Sequence, residues 1–120
     1  MRVLIDSSVW IDHIRQAEPA VIGLLAARRV FVHPYVLGEV ALGTIGNRAK
    51  VLAELHRLKA APLAAPSEVA QLIETVPLIG RGIGYVDAHL LASAFLARTT
   101  LLTHDRRLRA VADELGVAYR

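Results

Sequence analysis

Four carboxylates occupy positions that ordinary surface acids avoid. Asp6 follows the apolar run Val3-Leu4-Ile5, and Asp105 follows Leu101-Leu102-Thr103-His104. Glu39 lies within Tyr35-Val36-Leu37-Gly38-Glu39-Val40-Ala41-Leu42, and Asp87 opens the stretch Asp87-Ala88-His89-Leu90-Leu91-Ala92. Charges in apolar surroundings are costly unless paired. Like charges gathered at roughly 4 Å would cost about 4 kcal/mol per pair at an effective dielectric of about 20. A divalent cation offsets that repulsion, and hard oxygen donors suit Mg²⁺ or Mn²⁺. The chemistry such a set performs is metal-assisted cleavage of a phosphodiester.

Each acid also has a local alternative. Asp6 could cap a helix, although Ser7 and Ser8 offer hydroxyls for a helix starting near Val9. Asp87 falls in a first helical turn, where the dipole favours a carboxylate, and shares a stripe with Leu90, Leu91 and Ala94. Asp105 could be an N-cap. Glu39 has apolar flanks and is expected to be buried, with an exposed face beside Gly38 and Gly43 as the alternative. Ser8 and Thr103 are the supporting hydroxyls, able to orient Asp6 and Asp105. Arg81, His104 and Arg106 stand where they could meet a nucleic-acid phosphate. None of the five histidines has a metal-ligand spacing, and all are read first as structural or surface residues. Gly80-Arg81-Gly82-Ile83-Gly84 lacks the Lys-Ser/Thr of a phosphate-binding loop.

Elements must bring these residues together. The pattern predicts strands at 2–5, 29–33 and 99–102, with a short strand between 60 and 66 and a closing edge strand at 117–119. Helices are expected from about 9, then at 18–27, 34–43, 47–59, 67–75, 85–97 and 106–115, with a loop at 77–84. Strands alternating with helices imply an α/β fold built as a three-layer α/β/α sandwich around a central parallel sheet. Sites in such sheets form beyond the C-terminal strand ends, where Asp6 and Asp105 fall. Residues 1–120 are expected to form a single domain.

Composition narrows the choices. The absence of cysteine among 120 residues excludes disulfides, thiolate catalysis and cysteine-bound zinc. The chain is 54% hydrophobic and only 21% charged, which leaves apolar surface for a partner once a core is built. Trp10, Ile11, Ile14, Val21 and Leu25 suit either the core or a partner groove. Lys and Arg total 14 against 11 Asp and Glu, a net +3 that suits a nucleic-acid partner. The acid at position 6 comes too early for a signal peptide, and no apolar stretch reaches membrane-span length. A cytoplasmic protein without membrane association is expected.

The segments Val3-Leu4-Ile5-Asp6-Ser7-Ser8-Val9-Trp10-Ile11, the helix bearing Glu39, Asp87-Ala88-His89-Leu90-Leu91-Ala92-Ser93-Ala94 and Leu101-Leu102-Thr103-His104-Asp105-Arg106-Arg107-Leu108 follow one another in order. Together they resemble the PIN-domain ribonucleases, and specifically the VapC-type toxins of toxin–antitoxin pairs. The resemblance implies an endoribonuclease that uses Mg²⁺ or Mn²⁺ held by Asp6, Asp87 and Asp105, with Glu39 assisting. Its products would carry 5′-phosphate and 3′-hydroxyl ends. It also implies a homodimer and a cognate VapB-type antitoxin, joined in a heterotetramer or larger assembly. RNA is the implied substrate, with transfer RNA common among relatives.

The competing reading is a non-catalytic RNA- or protein-binding module whose acids grip a partner's basic residues. A haloacid-dehalogenase-like phosphatase needs a second aspartate where Ser8 stands, and a receiver domain needs a late lysine, whereas the last one here is Lys59.

Overall fold

The computed structural model describes residues 1–120. Its elements alternate along the chain: β1 (Val3–Ile5), α1 (Ser7–Arg15), α2 (Pro19–Ala26), β2 (Val30–Val32), α3 (Pro34–Ala41), α4 (Arg48–His56), β3 (Lys59–Ala60), α5 (Pro66–Thr75), α6 (Tyr85–Ala97), β4 (Thr100–Leu102) and α7 (Arg106–Glu114). The four strands form one parallel sheet in the order β3-β2-β1-β4. Val3 pairs with Val30 on one side and Thr100 on the other, which makes β1 central.

Successive strand residues point to opposite faces, and Val3, Leu4 and Ile5 are all at most 1% exposed. Helices therefore cover both faces, as the unbroken apolar run requires. The result is the expected three-layer α/β/α sandwich. Twenty-eight buried apolar residues form one cluster through both outer layers. Helix α6 is apolar nearly all round, with every residue from Ala88 to Ala94 buried, so it is a core helix rather than a surface one.

The sheet order places a switch point between β1 and β4. One chain direction leaves β1 towards β2, and the return arrives at β4 on the other side. Crevices at such points bind ligands in parallel sheets. Asp6 directly follows β1, and its N–H donates to Leu102 O at 3.0 Å, which ties the two strand ends together.

Three expectations need correction. Helix α1 begins at Ser7, and its cap is Asp6 itself, whose carboxylate accepts from Ser7 N–H. The serines are thus freed for other bonds. The fourth helix ends at His56 instead of 59, because Lys59 and Ala60 pair with Phe31 and Val32 as the two-residue strand β3. The closing strand at 117–119 is only a bridge from Ala118 to Leu101, held by Leu101 N–H to Val117 O and Tyr119 N–H to Leu101 O. No helix is long and apolar enough to cross a membrane.

Candidate metal centre

Asp6 stands at the switch point between β1 and β4 and is only 4% exposed. Its Oδ1 accepts from Ser7 N–H at 2.8 Å, and its Oδ2 accepts from Ser8 Oγ at 2.7 Å and Thr103 Oγ1 at 2.8 Å. These fill three of a carboxylate's roughly four lone-pair positions and leave one on Oδ1. Ser7 Oγ stands 3.5 Å from that oxygen but lies closer to Glu39 Oε1, to which it donates at 3.1 Å. Ser7 thereby links the first two acids.

The supporting hydroxyls do double duty. Thr103 Oγ1 donates to Asp6 and accepts Asp105 N–H at 3.0 Å. Ser8 Oγ donates to Asp6 and accepts His104 N–H at 3.1 Å. The turn from β4 to α7 is thus locked onto the start of α1. Asp105 is exposed and caps α7, its Oδ1 accepting from Arg107 N–H at 2.9 Å and Leu108 N–H at 3.1 Å. Asp87 is half-buried in the first turn of α6, and its Oδ2 accepts from Gly84 N–H at 3.0 Å. The cap roles and convergence on one crevice are compatible, because each cap leaves lone pairs to spare.

Glu39 departs from expectation: it is exposed rather than buried. Gly38 beside it contributes no side chain, so this face of α3 opens to solvent while Val36, Leu37 and Val40 take the core face.

Electrostatics tie the four acids into one group. Although Glu39 is exposed as a residue, partial desolvation of its carboxyl pushes it above its usual range; the Ser7 hydroxyl partly offsets this, and the charges of Asp6 and Asp87 push it further. Burial also raises Asp87; the Gly84 N–H opposes the shift, and Asp6 and Asp105 add to it. Asp6 acts on both Glu39 and Asp87, Asp87 acts on Glu39, and Asp105 acts on Asp87.

No three of these acids bring oxygens within 4.8 Å of one another; the trio that meets that spacing is Asp12, Glu18 and His104. His104 Nδ1 lies 2.6 Å from Asp12 Oδ2 and its Nε2 3.3 Å from Glu18 Oε2. These donor atoms are close enough to chelate a divalent cation. The looser spacing of the four acids fits an ion that keeps part of its water shell, as Mg²⁺ does. Their donors are oxygen only, as Mg²⁺ and Mn²⁺ prefer.

The remaining residues sort less evenly. His104 is held between two carboxylates rather than turned to the crevice. Arg81 pairs with Glu114 on α7. Arg106 is exposed and lines an open pocket with Thr103, His104 and Arg109. Arg107 was not singled out from sequence, yet its side chain lies over Gly82, where an added Cβ would come within 2.8 Å of Arg107 Cδ. With φ at +77°, Gly82 is the residue this close approach requires. Val21 is a core residue, Trp10 is buried but forms part of the wall of a groove, and Ile14 and Leu25 line that groove with Val51 and Leu58.

The profile of the PIN domain matches residues 3–114. The chain belongs to the PIN-domain family. Two relatives from strains of Mycobacterium tuberculosis, each named Ribonuclease VapC32, are 43% identical over 117 residues, covering 97% of this chain and 94% of theirs. Among solved structures, PAE2754 from Pyrobaculum aerophilum aligns with a TM-score of 0.69 at 18% identity, over 93% of this chain and 80% of that one. FitAcB from Neisseria gonorrhoeae aligns with a TM-score of 0.67 at 23% identity, over 97% and 94% of the two chains. Both structures share the fold of this chain over most of its length.

Proposed function

We propose that this PIN-domain protein is a Mg²⁺- or Mn²⁺-dependent endoribonuclease toxin. Asp6, Glu39, Asp87 and Asp105 hold the cation in this reading. The observation that carries it is the mutual coupling of the four carboxylates across the switch point between β1 and β4. The full-length likeness to a protein named as a ribonuclease supports it.

A divalent ion bound there supplies Lewis-acid polarisation of the phosphodiester and a more acidic water. The chain's own residues do the positioning. Ser7, Ser8 and Thr103 fix the Asp6 carboxylate in one orientation, with a single Oδ1 lone pair to offer. A cation there would offset the neighbouring charges that help raise Asp87 and Glu39. Asp105 is set by Thr103 and by its own cap.

The reading extends to a cytoplasmic toxin acting through one domain, residues 1–120, as a homodimer neutralised by a cognate antitoxin. The groove formed by Ile14, Leu25, Val51 and Leu58 is apolar surface suited to such a partner.

The test is cleavage of total and transfer RNA with Mg²⁺ and with excess EDTA, alongside Asp6→Asn. The expected result is wild-type cleavage only with metal, leaving 5′-phosphate ends, and none from the variant. Undiminished cleavage in EDTA, or full activity of Asp6→Asn, would overturn the assignment.

A further inference from the structure

Two tyrosines stand exposed where α3 and α6 leave the C-terminal edge of the sheet. Tyr35 is 43% exposed and Tyr85 is 55% exposed, although both rings pack against the same buried side chain. Their centroids lie 4.9 Å and 4.6 Å from the His89 ring, at interplanar angles of 69° and 83°. His33 completes the cluster 4.9 Å from Tyr35, and its Nδ1 accepts Tyr35 N–H at 3.1 Å. Tyr35 thus meets two imidazoles and Tyr85 one, and both tyrosines still keep side-chain surface open to solvent.

The backing is unusual for a core. His33 is 1% exposed and His89 is 3% exposed, and the Nε2 atoms of both lack a hydrogen-bond partner. Unpaired buried nitrogens oppose folding, and an apolar side chain would avoid that cost. What the imidazoles provide is a flat, rigid wedge that fixes both tyrosine rings.

Both rings stand on helices that also carry an acid. Tyr35 and Glu39 are four residues apart on one face of α3, separated by one turn of about 5.4 Å. Tyr85 and Asp87 are two residues apart in α6 and face different sides of it, so Tyr85 joins this rim through the His89 ring that it shares with Tyr35. A strand whose phosphate lies at the acids has its neighbouring bases within reach of this rim.

We propose that Tyr35 and Tyr85, braced by His89, form a nucleobase-stacking platform that selects single-stranded RNA for the acidic crevice. The inference rests on the ribonuclease assignment and names the substrate class for it. Every base presents a π-face, so such a platform holds unpaired nucleotides with little sequence preference. Bases inside an A-form helix are stacked on one another and cannot reach it. Loops and unpaired tails are therefore the segments this site accepts.

The test compares wild type with the double variants Tyr35→Leu/Tyr85→Leu and Tyr35→Phe/Tyr85→Phe. Leucine keeps apolar bulk against His89 but has no π-face, whereas phenylalanine keeps the ring. Steady-state cleavage of a short mixed-sequence single-stranded RNA is measured in Mg²⁺, and affinity for that strand and for its duplex is measured in Ca²⁺. The leucine pair should raise KM and weaken single-strand binding about tenfold or more, with the loss falling on KM rather than kcat. The phenylalanine pair should restore both, and weak duplex binding should not change among the proteins. Unchanged KM in the leucine pair would overturn the platform, as would an equal loss of duplex binding. A change in oligomeric mass without a change in KM would assign the rings to a protein interface and overturn it as well. Failure of wild type itself to cleave RNA in Mg²⁺ would instead overturn the ribonuclease assignment beneath it.

Discussion

His104 and Asp105 are neighbours in the chain, yet they belong to opposite kinds of polar cluster. His104 sits between Asp12 and Glu18, with Nδ1 facing one carboxylate and Nε2 the other. Asp105 joins Asp6, Asp87 and Glu39, which act on one another as like charges and have hydroxyls and backbone N–H groups as their partners. The first cluster satisfies itself within the chain, as a tie between α1 and the turn before α7. The second stays strained until something positive arrives. Spacing alone would pick the first as the metal site, while charge balance picks the second. The two clusters thus separate closeness of donors from uncompensated charge as signs of a metal site, and variants of each set one against the other.

The largest expected contrast is in activity. Asp87→Asn should lose RNA cleavage by more than about a hundredfold, beyond what outer supporting groups usually cost. Asp12→Asn, which breaks only the tie, should stay within about tenfold of wild type. Cleavage rates of both variants under saturating Mg²⁺ check this.

A smaller effect separates burial from charge pairing. His33 titrates at about 4 instead of 6.5, first because it is buried and second because of His89. Its folded pKa lies below the unfolded one, so its contribution is full above pH 6.5 and is lost as pH falls towards 4. Stability at pH 5 should be about 2 kcal/mol lower than at pH 7 on this account. The raised acids, Glu39 and Asp87, work in the opposite sense, since their folded forms take up protons first as pH falls. Urea unfolding in EDTA at both pH values measures the sum. In His33→Asn, which keeps an acceptor for Tyr35 N–H, the acid-side loss should disappear.

The smallest effect carries opposite signs in the two clusters. In EDTA, Asp87→Asn should melt slightly higher than wild type because repulsion is relieved and the cap to Gly84 survives. Asp12→Asn should melt slightly lower because the hydrogen bond between its carboxylate and His104 is weakened. Each change should be under about 1 kcal/mol, a few degrees in Tm. Melts that move in the same direction would erase the distinction.

Much of this was legible in the sequence, and the gaps have physical causes. Apolar runs ending in acids placed Asp6 and Asp105 at strand ends, and the period of α6 placed Asp87 in its first turn. Glu39 was expected to be buried because all its neighbours are apolar; the missing side chain of Gly38 opens that face instead. Strand β3 is two residues long with both exposed, so no periodicity marks it. Ser7 was noted only as a cap, and its bond to Glu39 spans 32 positions. The tie from His104 to Asp12 spans 92 and leaves no local trace. Arg107 was one arginine among several until Gly82 gave it a place.

Mn²⁺ binding, followed by the electron paramagnetic resonance signal of the free ion, tests the central claim most directly. Wild type and the double variant Asp12→Asn/Glu18→Gln should both take up Mn²⁺, and Asp6→Asn/Asp87→Asn should not. Uptake that survives in Asp6→Asn/Asp87→Asn and vanishes in Asp12→Asn/Glu18→Gln would contradict the account and move the metal to the histidine cluster.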